Sequence, residues 1–246
     1  MDGQPPQLQD VIRARKNPAL VVLEGFHAIK HALRFGGELL GAWTADAAEV
    51  EALQERLAPD VRIPVAVVEE QQLKQVVPRA QLVAIARRPR QPDAHSVLDG
   101  GGQVVLLEDP RHLGNLGAVV RVAAAAGAAG VMSTGRQDPW HSDALRGSAG
   151  LHFALPVHHL RTVMTRGREL IALDPEGEQL NPATFPAAAV LAFGTERDGL
   201  SDELLSRADR RICLPMMAGV SSMNLATAVA ATLYSLKLAA TPASDG

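Results

Sequence analysis

The 246-residue sequence predicts an α/β protein in two parts: a small α/β domain over residues 1–98 and a larger parallel-sheet domain over residues 103–246. Short apolar runs alternate with amphipathic or Ala-rich segments along the whole chain, as strands joined by helices do. In the second half those runs lack polar alternates, which suits strands buried on both faces of a parallel sheet. Between the halves, the Pro-rich stretch from Arg87 to Asp93 and the glycines Gly100–Gly102 mark a linker beginning at about residue 87.

Residues Met1–Leu8 read as frayed, and Val11–Lys16 as a short basic helix ended by Asn17-Pro18. An apolar run, Leu20–Leu23, leads through Glu24-Gly25 into a helix over Phe26–Phe35. Strands follow at Ala42–Thr44, Val65–Val68 and Leu82–Ala86, with helices over Ala47–Leu57 and Gln71–Val76 between them. The second half opens with a strand at Gln103–Leu107. A Gly-containing turn leads to an Ala-rich helix, Ala118–Ala126, then to Gly127 and a strand at Gly130–Met132. Later strands are expected at Leu170–Leu173, Ala189–Phe193 and Arg211–Leu214. A long helix from Asn224 closes the pattern, with Ser222 and Asn224 suited to cap it because their side chains accept free backbone N–H bonds.

Hydrophobic residues make up 47% of the chain, ample for a core, but aromatics only 3%, so stacking platforms for single-stranded bases are scarce. A net charge of −3 argues against an indiscriminate nucleic-acid binder. Residues 1–90 carry 12 Lys+Arg against 11 Asp+Glu, and residues 91–246 carry 12 against 16. Arg outnumbers Lys, which suits bidentate phosphate contacts; Arg13-Ala-Arg15-Lys16 and Arg87-Arg88-Pro-Arg90 are the candidate patches. The single cysteine, Cys213, excludes an intrachain disulfide and a cysteine zinc site, and its strand context predicts a buried small hydrophobe. Eight histidines show no metal-ligand spacing, so no metal is expected. No run is long enough to span a membrane and no signal peptide opens the chain, which predicts a soluble cytoplasmic protein. G-x-G-x-x-G after a strand and a phosphate-binding-loop lysine are both missing, which disfavours a dinucleotide or nucleoside-triphosphate fold.

Three polar loops each follow a predicted strand. The first carries Asn115-Leu116-Gly117 and then Arg121, the second is Gly194-Thr195-Glu196-Arg197-Asp198-Gly199-Leu200, and the third joins Pro215-Met216 to Ser222-Met223-Asn224. Polar loops at strand ends in an α/β domain point to one site. The three segments resemble, in order and spacing, the motifs of the SpoU/TrmH family of RNA 2'-O-ribose methyltransferases within the SPOUT superfamily. Ser148-Ala149-Gly150 before Leu155-Pro156-Val157 is a further, minor match. Two departures stand out. His112-Leu113-Gly114 occupies the place where the family commonly has Asp-Pro, with Asp109-Pro110 further upstream, and Met223 replaces a leucine of similar bulk.

The resemblance implies a deep trefoil knot in the second domain, S-adenosyl-L-methionine as cofactor, and a homodimer formed through that domain. It also implies an N-terminal RNA-binding domain resembling a small ribosomal protein, whose start Leu23–Ala28 resembles. Arg121, Asn115, Glu196, Ser222 and Asn224 would form the reaction centre. Gly194, Leu214 and Met223 would hold the cofactor, with Met216, Thr195 and Gly199 beside them. Each has a plainer reading: Arg121 as the solvent side of a helix, Glu196 as a cap or a partner of Arg197, and Ser222 and Asn224 as helix caps. Two roles stay open for Arg121: a base perturbed by its pocket, or a fixed cation for a phosphate and a developing alkoxide. Ribosomal RNA is favoured over transfer RNA as substrate. The alternatives are a transfer-RNA enzyme, or a non-catalytic RNA-binding module of ribosome assembly. Residues 103–246, which hold all three motifs, are expected to fold alone.

Overall fold

The computed structural model describes residues 5–195, 198–220 and 222–240. Contacts divide the chain into two compact units, residues 1–90 with 140–154, and residues 91–139 with 155–246.

The first unit begins with α1 (Asp10–Ala14), β1 (Leu20–Glu24), α2 (Phe26–Arg34), β2 (Leu39–Thr44), α3 (Ala47–Leu57), β3 (Ala66–Val67), α4 (Glu70–Val76) and β4 (Leu82–Arg87). The strands form one sheet in the order β1-β4-β2-β3. Central β4 runs antiparallel to β1 and β2, and β3 is parallel to β2. The alternate residues Val22, Val83, Ile85 and Trp43 bury against Val11 and Leu73 from the helices, as the period of two requires. Asp46 caps α3 by accepting the Glu49 N–H at 2.9 Å.

Unit two opens with α5 (Ala94–Asp99), β5 (Val104–Leu107), α6 (Leu113–Ala126) and β6 (Gly130–Ser133). The chain then returns to the first unit for α7 (Ser142–Gly147) and a 3-10 turn at Leu151–Phe153. There Arg146 and Arg15 both donate to the Glu24 carboxylate, at 3.0 and 2.7 Å, and Arg15 also donates to Ser142 Oγ at 2.8 Å. His31 Nδ1–H donates to the Ala149 carbonyl at 2.7 Å. Gly150, at φ 79°, lies so close to Ala28 that any Cβ there would strike the Ala28 carbonyl.

After residue 155 come β7 (Val157–His159), β8 (Glu169–Gln179), β9 (Ala189–Phe193), α8 (Asp202–Arg207), β10 (Arg210–Cys213) and α9 (Leu225–Ala240). Six strands make a sheet in the order β10-β8-β9-β5-β6-β7, parallel at every pairing. Strands β5, β6 and β9 are buried at every residue, which is why their sequences carry no polar alternate. α9 packs along α6.

Three expectations are corrected here. Residues 94–99, read as linker, form α5: Asp93 accepts the Ser96 N–H at 3.0 Å, and Val97 and Leu98 enter the second unit's core. Arg168 reinforces α5 by donating to the carbonyls of Leu98, Gly100 and Gly102 at 2.5, 2.7 and 2.7 Å. A fragment starting at residue 103 therefore lacks part of this core, and it carries residues 140–154 without the unit they pack in. Second, α6 starts at Leu113 rather than Ala118, so Asn115 and Gly117 lie within the helix. Gly117 is buried, and tertiary packing overrides its poor helix propensity. Third, β8 does not stop at Leu173. Its pairing with β10 jumps from Ala172↔Arg211 to Glu178↔Ile212, so residues 173–177 bulge from the ladder.

Candidate active site

Because the sheet is parallel, the ends of β5, β9 and β10 lie on one edge, and β5 and β9 are neighbours. The connection from β5 continues to β6 on its other side, so β5 and β9 flank a topological switch of the kind where α/β folds open a crevice. The three polar loops leave from this edge.

The loop after β9 is pinched shut. Thr195 and Gly199 exchange N–H···O bonds of 3.0 and 3.1 Å, and the Asp198 N–H donates to Thr195 Oγ1 at 3.1 Å. Gly199 takes φ 68°, the left-handed region. A Cβ on Gly194 would fall onto the Gly199 carbonyl, so this turn needs glycine there. Glu196 and Arg197 lie outside the described residues. The loop after β5 anchors the turn: Glu108 accepts from the Ser201 N–H at 2.7 Å and from Ser201 Oγ at 2.6 Å, and Arg111 donates to Asp198 at 2.8 Å.

Beyond β10, Asn224 Oδ1 accepts the N–H groups of Ala226 and Thr227 at 3.0 and 3.4 Å, so it caps α9. Between these loops lies a cavity of about 230 Å³. Gly194, Thr195 and Gly199 line it from the β9 side, and Leu214, Met216, Ser222 and Met223 from the β10 side. Seven of the eleven site residues named from sequence thus share one cavity. Asn115, Arg121 and Asn224 are not in its wall. Asn115 is half-buried on the first turns of α6, whereas Arg121 is exposed and makes no hydrogen bond or ion pair with a described residue. Six residues apart at about 100° each, they leave the helix on different sides.

Sequence reasoning missed part of the wall. Leu173 and Asp174 line the cavity from the β8 bulge, and Cys213, expected to be buried, is half-buried and lines it too. Among the described residues no Lys, Arg or His lines the cavity, and Asp174 is the one charged residue of its lining. Among the described residues no group of three or more His, Cys, Asp or Glu could hold a metal ion, and no helix is long and apolar enough to cross a membrane.

Residues 102–234, more than half of the chain, match the SpoU rRNA Methylase family. The chain belongs to that family. Among relatives of this SpoU protein, an uncharacterised tRNA/rRNA methyltransferase of Synechocystis is 35% identical over 59% of the chain and 54% of its own length. The chain thus spans about half of that relative. A 23S rRNA (adenosine(1067)-2'-O)-methyltransferase of Streptomyces azureus is 25% identical over 90% of this chain and 87% of its own. In fold, the SpoU methyltransferase AviRb of Streptomyces viridochromogenes, solved with AdoMet, superposes with a TM-score of 0.77 at 22% identity, covering 97% of this chain and 98% of its own.

Proposed function

We propose that this SpoU-family protein is an S-adenosylmethionine-dependent RNA 2'-O-ribose methyltransferase acting on ribosomal RNA. The observation that carries the reading is the convergence of the second and third family motifs on one apolar-walled cavity at the carboxyl edge of a parallel sheet. The cavity suits the cofactor chemically, since a cationic sulfonium meets no cation among the described residues of the wall and finds apolar surface with backbone groups for a nucleoside. When bound, S-adenosylmethionine supplies an electrophilic methyl group. Gly194, Thr195, Gly199, Leu214, Met216 and Met223 hold and orient it, and Ser222 and Asn224 shape the reaction centre beside it.

Arg121 is the cation for the RNA. A guanidinium is a donor with no free lone pair at neutral pH, so the exposed side chain acts by holding a phosphate and favouring the 2'-alkoxide as it develops. Asn115 and Glu196 complete the reaction centre. Placing the 2'-oxygen in line with the methyl group is the main catalytic contribution, because a correctly held pair reacts as one molecule.

Ribosomal RNA is supported by the Streptomyces azureus relative, which aligns over most of both chains. The same reading includes a trefoil knot in the parallel-sheet unit, RNA binding by the first unit, and a likeness of that unit to a small ribosomal protein. It includes a homodimer through the second unit, supported by Tyr234 and Leu238, 39% and 71% exposed on α9. Calorimetry with S-adenosylmethionine, followed by tritiated-methyl transfer to separated ribosomal and transfer RNA, tests the proposal. Label in ribosomal RNA is expected. Label in transfer RNA alone would reassign the substrate, and no cofactor binding would overturn the enzyme.

A further inference from the structure

The β8 bulge is built around one carboxylate. Residues 173–177 leave the β8–β10 ladder, and Gly177 lies flat against β10, where a Cβ would come within 2.5 Å of the Arg211 carbonyl carbon. Arg211 ties the bulge down: its Nε donates to Asp174 Oδ2 at 2.5 Å, and a terminal nitrogen pairs with the same oxygen. The second Asp174 oxygen, Oδ1, accepts the Glu176 N–H at 3.2 Å. This holds the Asp174 side chain, 11% exposed, in the wall of the cavity.

Resting on the cofactor reading above, we infer that Asp174 is the acceptor for the ribose hydroxyls of the methyl donor. Burial of a carboxylate in an apolar wall is unfavourable unless it is paired and hydrogen-bonded; Arg211 supplies the pairing from outside the cavity lining. The paired carboxylate has little charge left to attract the sulfonium, but it keeps unused lone pairs. An ionised carboxylate is acceptor-only, with about four lone-pair sites, of which Arg211 and Glu176 use part. A vicinal diol offers two donors and matches that vacancy. Among the described residues, the hydroxyls of Thr195 and Ser222 and the thiol of Cys213 are the other polar side chains of the wall; each can donate as well as accept, so none is as selective for a donor. Asp174 therefore distinguishes a ribonucleoside from its deoxy analogues, while the apolar wall takes the base.

The test uses the full-length protein, calorimetry, and two probes: 5'-methylthioadenosine and its 2',3'-dideoxy analogue. Wild type should bind the ribonucleoside about tenfold or more tightly than the dideoxy form, as expected for hydrogen bonds to a charged acceptor. Asp174→Asn should lose most of that preference while binding the dideoxy compound within about twofold of wild type. Arg211→Gln, which keeps the carboxylate, should retain the preference even if both affinities fall. A purely structural Asp174 would weaken both probes equally in Asp174→Asn, and that result overturns the inference. Equal binding of both probes by wild type overturns it whatever the variants do, including a variant that fails to fold. Failure of wild type to bind S-adenosylmethionine or 5'-methylthioadenosine at all would instead remove the cofactor reading, and this inference with it.

Discussion

In the unit formed by residues 1–90 and 140–154, Arg15 and Arg146 converge on Glu24, whose side chain is 7% exposed, Arg34 makes two bonds to Asp60, and Arg87 pairs with Glu38. In the SpoU unit, Arg121 stands exposed on α6 with no hydrogen bond or ion pair to a described residue. The first unit uses its cations as scaffold, stitching residues 140–154 to β1; the second leaves one in a family motif without a partner among the described residues. That contrast revises the phosphate patches read from sequence. Arg13 lies 3.5 Å from Asp10, Arg15 and Arg87 are paired, and the Arg88 guanidinium sits 5.2 Å over the Trp140 ring. Lys16 and Arg90 are the members of those patches without a described partner. Clustering of arginines in sequence is thus a poor guide to free positive charge; partner geometry decides it.

The largest expected effect comes from the exposed cation of α6. Arg121→Ala should lower methyl transfer by about 100-fold or more, the scale of a lost charge-stabilising donor, while cofactor affinity measured by calorimetry stays within about twofold. Activity within a few-fold of wild type would erase the functional half of the contrast. Next is Gly194→Ala. Its Cβ collides with the Gly199 carbonyl, so the pinched turn must open, and cofactor affinity should fall about tenfold or more for strain of this kind; unchanged affinity would show that the turn is not part of the site.

The scaffold side of the comparison predicts stability effects instead. Glu24→Gln leaves Arg15 and Arg146 without their shared carboxylate and should destabilise by about 2 kcal/mol in urea unfolding, less than for a wholly buried pair because both arginines are partly exposed. A change below the error of the measurement would mean that these pairs are surface decoration. The smallest effect is a pH dependence. Burial, opposed by the Ala149 carbonyl, holds His31 below its ordinary 6.5, so the unfolded chain takes up that proton more readily than the folded one. The stability His31 contributes is present above pH 6.5 and is lost as pH falls through the folded value. Asp60 and Asp99, held below their ordinary 3.8 by Arg34 and Arg166, act at lower pH. Wild type should therefore melt lower at about pH 5.5 than at about pH 7.5, and His31→Gln should flatten that difference; an equal slope in the variant would assign it to another group.

Local signals reached far into this fold. Ala47–Leu57 and Ala189–Phe193 have the bounds that their periodicity and apolar runs predict. The loops after β9 and β10 were legible as one site because a parallel sheet brings strand ends together without long-range information. What escaped depends on distant partners. Arg146 finds Glu24 across 122 positions, so nothing local assigns residues 140–154 to the first unit. α5 hides in a stretch whose prolines and glycines read as linker, although Asp93 and Ser96 carry a capping signal. Asp174 carries no local signal, because the apolar run ends at Leu173; the bulge that turns its carboxylate into the cavity wall exists only through the shifted pairing with β10.

The atom that receives the methyl group defines the enzyme. Ribosomal RNA incubated with the protein and methyl-tritiated S-adenosylmethionine, then hydrolysed in alkali, separates the possibilities, because a 2'-O-methyl blocks cleavage at its own nucleotide. The label is predicted in alkali-resistant dinucleotides, and to be lost with Arg121→Ala. Label recovered in mononucleotides, on the bases, would contradict it.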